Sequence, residues 1–178
     1  ITMSQKLPSL TVVTRLHSTH SASHSSLPPS VLSKFTSGVL SLESSYPGEI
    51  KSLIIHDSTN SSMLSTLQSS HSLPPSTSLL LLTPWYGFTP ALNLSLHSAS
   101  TDLILYISLE ITFTSSSVIN LRKHLTSDTL CCGYKLLGHQ LIDKGHITGV
   151  NCPWNTFCLW SCAKLSRVGF FAVSDRGE

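Results

Sequence analysis

Between residues 101 and 114 apolar and polar positions take turns. In TDLILYISLEITFT, Leu103, Leu105, Ile107, Leu109, Ile111 and Phe113 fall on one side of an extended chain. Asp102, Ile104, Tyr106, Ser108, Glu110 and Thr112 fall on the other. A period of two, rich in β-branched and aromatic residues, marks a strand with one buried face, so the spacing predicts a strand over 103–113. Shorter strands are predicted at 10–16, 51–55 and 168–173. Ser117 is placed to cap a helix starting at Val118, in which Val118, Leu121 and Leu125 share a face. Residues 157–165 read as a second short helix.

No comparable order runs through the first hundred residues. They hold 26 of the 34 serines and no cysteine, whereas the remainder holds all five cysteines and six of the nine glycines. HSSLPPS, from His24, returns as HSLPPS from His71, and LHSTHSAS, from Leu16, is echoed by LHSAS from Leu96. The spacing is uneven, so these are not the fixed-period units of a solenoid but a low-complexity bias. Pro28-Pro29 and Pro74-Pro75 favour extended backbone and read as linkers. The expected architecture is a largely irregular, low-complexity, disordered serine-rich region over 1–100. A small α+β module follows over 101–178, built around the strand at 103–113 and carrying every cysteine.

Composition supports that expectation. Ser, Thr and Leu number 34, 17 and 29, together 80 of 178 residues, and only 11% of the chain is charged, against about 25% in ordinary soluble domains. Hydroxyl side chains offer the backbone local hydrogen bonds that compete with helices. They also return little hydrophobic free energy for the conformational entropy that folding removes. Net charge is +2, split evenly between the two parts, and the single basic cluster is Arg122-Lys123-His124. A phosphate-binding surface gathers more cations than that, so nucleic acid is a disfavoured partner. Residues 58–101 carry no charged side chain, but within them the segment 79–96 is interrupted by Pro84, Pro90 and Asn93. A membrane-spanning helix needs about 20 predominantly apolar residues, so no span is expected there; Trp85 and Tyr86 would be its interface anchors. The chain opens on Ile1 without an apolar leader-like run, which reads as a fragment or processed product of unassigned compartment.

Chemistry is sparsely signalled. All five cysteines lie in 131–162, at Cys131, Cys132, Cys152, Cys158 and Cys162. Only Cys158 and Cys162 have the spacing of a zinc-ligand pair, which a helix would place on one face, with His139 or His146 and Cys131 or Cys132 to complete four ligands. An odd count leaves at least one thiol unpaired, and neighbours such as Cys131 and Cys132 are poorly placed to bridge each other. Reduced, partly buried thiols are the expectation. His17, His20 and His24 sit in a serine-rich stretch that reads as a solvated loop, and Asn60 and Asn93 begin glycosylation sequons of a kind that chance supplies here. There is no phosphate-binding glycine loop, no G-x-S-x-G elbow and no H-E-x-x-H.

The sequence therefore names no catalytic, cofactor-binding or metal-binding residue, no cofactor and no partner, and the chain is expected not to be an enzyme. The leading reading is the product of a weakly constrained or non-coding reading frame, which would melt without a cooperative transition. The alternatives are a modified serine-rich arm on a small binding module, and a Cys/His metal-binding segment at 131–162.

Overall fold

The computed structural model of the chain describes residues 7–16, 30–57, 73–139 and 152–171. Six strands form one sheet: β1 (Leu10–Leu16), β2 (Ile50–His56), β3 (Thr77–Leu81), β4 (Leu103–Ile107), β5 (Cys131–Gly133) and β6 (Phe157–Ser161). Their spatial order is β3-β2-β1-β4-β6-β5. β3, β2, β1 and β4 run parallel, and β6 is antiparallel to both β4 and β5. Among the described residues four helices pack with it: α1 (Ser30–Ser45), α2 (Phe88–Ser98), α3 (Ser115–Lys123) and the single turn α4 (Cys162–Leu165).

The central strands are buried on both faces, as parallel strands require when helices cover each side. Their side chains alternate between two cores. Leu10, Val12, Leu16, Ile54, Leu103, Leu105, Ile107 and Leu159 meet α1 and α3 on one face. Val13, Leu53, Ile55, Ile104 and Tyr106 meet Ala91 and Leu92 of α2 and Leu165 of α4 on the other. α1 presents Phe35, Val39 and Leu42, with Tyr46 just beyond its end, at the three- and four-residue spacing of one helix face. Its serines at 33, 37, 44 and 45 are exposed.

These observations correct the expected architecture. The described part of the first hundred residues is not irregular, disordered or low-complexity: it supplies β1, α1, β2, β3 and α2 to a mixed α/β fold. The boundary near residue 100 falls between α2 and β4 of that sheet. The strand expected over 103–113 ends at Ile107, where a turn begins, and both its faces are buried rather than one. Leu109, Ile111 and Phe113 nevertheless pack on the α1/α3 core from the loop that follows, so the period of two reported burial correctly and strand length wrongly. Strands at 10–16 and 51–55 are present as β1 and β2. Residues 168–171 form no strand, and the rest of that segment lies outside the described residues. The helix expected from Val118 starts at Ser115; Thr114 is its cap, and Ser117 answers it in a capping box. Residues 157–165 divide into β6 and α4 rather than one helix. Segment 79–96 holds the end of β3, a loop and most of α2, and among the described residues no helix is long and apolar enough to cross a membrane.

Space inside the α1/α3 core is tight at one glycine. A Cβ added at Gly38 would lie 2.3 Å from the Phe113 ring, so the helix approaches that ring only because the side chain is a hydrogen. Two continuous cores predict a single cooperative thermal transition for the chain. Gly38→Ala should lower its midpoint, by an overpacking cost of about 1–3 kcal/mol net of the gain in helix propensity. Circular dichroism melts of the two proteins check this; equal midpoints would show that the ring swings aside freely.

Candidate functional site

In open parallel sheets ligands bind beyond the carboxyl ends of the strands, where the strand order reverses direction. Here the reversal lies between β1 and β4: from β1 the chain crosses by α1 to β2 on one side, and β4 later enters on the other. The carboxyl ends of β1 to β4 face one edge. β6 runs against β4 and β5 runs against β6, so β5 also ends at this edge and the segment entering β6 starts there.

The edge has two halves. On the β1–β3 side stand Arg15, one residue from the end of β1, and His56-Asp57 at the end of β2. Arg15 lies over the Phe88 ring, its guanidinium carbon 4.8 Å from the centroid. Phe88 opens α2 and meets Trp85 edge-on at 6.3 Å. The backbone before α2 turns at Gly87, whose φ of 99° lies in the left-handed region that favours glycine. His56 is paired in register with Leu16 and is buried. Burial lowers its pKa below 6.5, outweighing the opposing pull of Asp57, and its Nδ1 has no partner among the described residues. Asp57 is also buried.

On the β4–β6 side the turn after β4 carries Ser108 and Glu110, and the loop after β5 carries Tyr134 to His139. Tyr134 packs on Phe157 at 5.0 Å and donates its hydroxyl hydrogen to the Ser117 carbonyl at 3.0 Å. His139 is buried, accepts the Leu136 N–H at Nδ1 (2.7 Å) and lies 4.4 Å from the Trp154 ring centre.

The cysteines do not converge on a metal-binding group among the described residues. Cys131 and Cys132 occupy successive strand positions, so their side chains leave opposite faces of the sheet. Cys132 reaches α3, donating to the Leu121 carbonyl at 3.1 Å. Cys131 neighbours Cys158, whose hydrogen bond lowers the Cys131 pKa. Burial pushes the Cys158 thiol strongly upward and those of Cys132 and Cys162 to about 11. Cys158 is in β6 and Cys162 in α4, so no helix face unites them. All five are free thiols, and among the described residues no three His, Cys, Asp or Glu side chains form a metal-binding group. His17, His20, His24, His71, His146 and the Asn60 sequon lie outside the described residues. Asn93 is engaged within the fold: its amide exchanges hydrogen bonds with the Phe170 backbone, both 2.9 Å. Arg122-Lys123-His124 closes α3, where positive charge offsets the helix dipole.

Sequence reasoning passed over Arg15, His56, Asp57 and Trp154. The available signal was that His56-Asp57 ends an apolar run, which acquires meaning only once that run is known to be a parallel strand.

No protein-family model and no curated protein matches the sequence. Solved structures do match the fold. The mannosyltransferase PcManGT from Pyrobaculum calidifontis, solved with GDP-Man and Mn2+, superposes with a TM-score of 0.64 at 11% identity, over 93% of this chain and 48% of that one. Residues 1–349 of S. aureus TarS superpose with a TM-score of 0.56 at 11% identity, over 92% of this chain and 50% of that one. TarS 1–349 with UDP gives 0.56 at 10% identity, over 94% and 52%. The chain shares the fold of these structures. The chain spans about half the length of these neighbours. The expectation that it is not an enzyme is thereby corrected: its fold is one that a mannosyltransferase also carries.

The Mn2+ in PcManGT raises the question of a metal here. The edge's described carboxylates, Asp57 and Glu110, belong to separate elements, and with His56 they form no three-ligand group. No chemistry is routed through an ion here.

The depressed pKa of His56 has a consequence for stability. Below 6.5 the unfolded chain takes up a proton that folded His56 resists, so its contribution is fully present above that pH and is lost as pH falls toward the lower folded value. His56→Leu should flatten that acidic decline, read as the difference between wild-type and variant melting midpoints from pH 7.5 to 5. Parallel curves would show that His56 does not carry it.

Proposed function

We propose that this chain is the nucleotide-sugar-binding domain of a glycosyltransferase. The observation that carries the reading is the placement of Arg15, His56 and Asp57 beside the β1/β4 switch point, in a fold shared with PcManGT. A nucleoside diphosphate presents hydroxyl and base N–H donors at one end and negative charge at the other. A carboxylate at the end of the second strand is suited to accept from ribose hydroxyls, and Asp57 occupies that place. Arg15 brings positive charge of the planar kind that matches phosphate oxygens. The Trp85–Phe88 pair supplies apolar surface next to Arg15. Neutral His56 adds an imidazole that burial keeps uncharged, with Nδ1 unpartnered among the described residues.

The chain's span of about half of each neighbour bears on the reaction. Donor binding is assigned to this unit, and glycosyl transfer to a protein containing it. Two readings of the sequence compete, a chain without selected activity and a modified serine-rich arm, and neither leads to saturable nucleotide binding.

Isothermal titration with UDP and with GDP, each with and without Mn2+, tests the proposal. One of the two should bind with a dissociation constant of about 1 µM to 1 mM, the usual range for enzyme substrates. Asp57→Ala should weaken it by roughly 10- to 100-fold, the loss expected for a charge-assisted hydrogen bond. Absence of binding by both nucleotides under both conditions would sink the reading.

A further inference from the structure

The half of the edge away from Arg15 and Asp57 contains a buried donor hydrogen without a partner among the described residues. His139 accepts the Leu136 N–H at Nδ1, so Nδ1 has its lone pair free of a proton. The neutral ring must then carry its hydrogen on Nε2. That Nε2–H is buried and has no partner among the described residues, and the side chain is only 9% exposed. Leaving a buried donor unpaired is costly, which makes the position a place for an incoming oxygen.

Beside it lies Trp154, 4.4 Å between ring centres and itself 36% exposed. Gly138 has a φ of 98°, and a Cβ there would come 3.5 Å from the Trp154 ring, so the loop folds closely against the indole. Tyr134, fixed by Phe157 and the Ser117 carbonyl, stands on the same loop. An aromatic face joined to a fixed N–H donor matches a sugar ring, whose C–H face lies on the indole while a hydroxyl oxygen accepts from nitrogen.

We propose that Trp154 and His139 form a saccharide subsite for the acceptor, on the opposite side of the switch point from Arg15 and Asp57. The inference rests on the glycosyltransferase reading and adds that the acceptor is a carbohydrate. Trp154 stacks on the sugar, and a small displacement of its side chain opens the Nε2–H to a hydroxyl oxygen. No covalent step is assigned to either residue.

The test uses the whole chain with chitotriose and mannotriose as probes, followed by tryptophan fluorescence, with UDP and GDP titrations in parallel. At least one saccharide should give a saturable change. Trp154→Ala should weaken it at least about tenfold, the effect of removing an aromatic contact worth about 1.4 kcal/mol. His139→Phe, which keeps a ring beside Trp154 but removes the N–H, should weaken it severalfold, while nucleotide affinity stays unchanged in both variants. Melting curves establish that the variants fold; if His139→Phe does not, the Trp154 variant decides alone. Nucleotide binding without saccharide binding, or saccharide binding indifferent to Trp154→Ala, overturns this inference and leaves the donor reading standing. Loss of both ligands in the wild-type chain overturns both.

Discussion

Four residues of β1, Leu10 to Val13, pair with four of β4, Leu103 to Tyr106, across some ninety residues of chain. That parallel junction is fastened at its amino end. Asp102 Oδ2 accepts both the backbone N–H and the hydroxyl of Ser9 at 2.8 Å, and the Ser9 hydroxyl accepts the Asp102 N–H at 3.0 Å. Beside it the Thr11 and Thr101 hydroxyls meet at 2.7 Å in a buried setting. With β4 held there, the strand order reverses next to β1, at the edge where the carboxyl ends of β1, β2 and β4 lie. The same junction lets each strand feed both cores, since alternate residues of β1 and β4 join the α1/α3 side and the α2/α4 side.

A chain so rich in hydroxyls folds because it places them in two ways. On α1 they occupy the solvent face where most proteins put charge, and there they cost little beyond a weaker helix propensity. Inside, they are largely paired: Ser52 with Thr77 at 2.7 Å, Ser95 with Tyr106 at 3.2 Å, and the Tyr106 hydroxyl donating to the Leu92 carbonyl at 3.0 Å. Burial raises the Tyr106 pKa, which keeps that hydroxyl a donor. Paired hydroxyls between strands avoid the desolvation penalty that makes polar cores fail. Composition counts hydroxyls without saying which face they take, and so it pointed to disorder.

What the sequence revealed tracks how local each signal is. Leu10 to Leu16 and the run around Leu53 were visible as strands because β-branched and apolar residues cluster there. The alternation through Phe113 was visible as burial, because the loop after β4 keeps the phase of the strand while leaving its hydrogen-bond ladder. The cap of α3 was misplaced by three residues because Thr114 and Ser117 cap each other and either alone resembles a cap. β6 and α4 were merged because FCLWSCAKL is mostly apolar and too short for its period to choose. The site was illegible for a different reason. Arg15, Asp57 and Trp154 are far apart in sequence, and only the crossover through α1 and the reversed direction of β6 bring their elements to one edge.

That reversal also explains why the edge is chemically divided. Had β6 been parallel, its carboxyl end would have brought Ser161 and Cys162 to the edge. Because it runs backwards, its amino end arrives there, with Trp154 and Phe157, and β5 in turn delivers Tyr134 and His139. The parallel strands β1 and β2 contribute charge, in Arg15 and Asp57, and the antiparallel pair contributes rings. A charged nucleotide and a largely uncharged sugar have opposite needs, the first for neutralisation and the second for an apolar face with a few directed hydrogen bonds. One change of strand direction is enough to set these two environments side by side at the switch point.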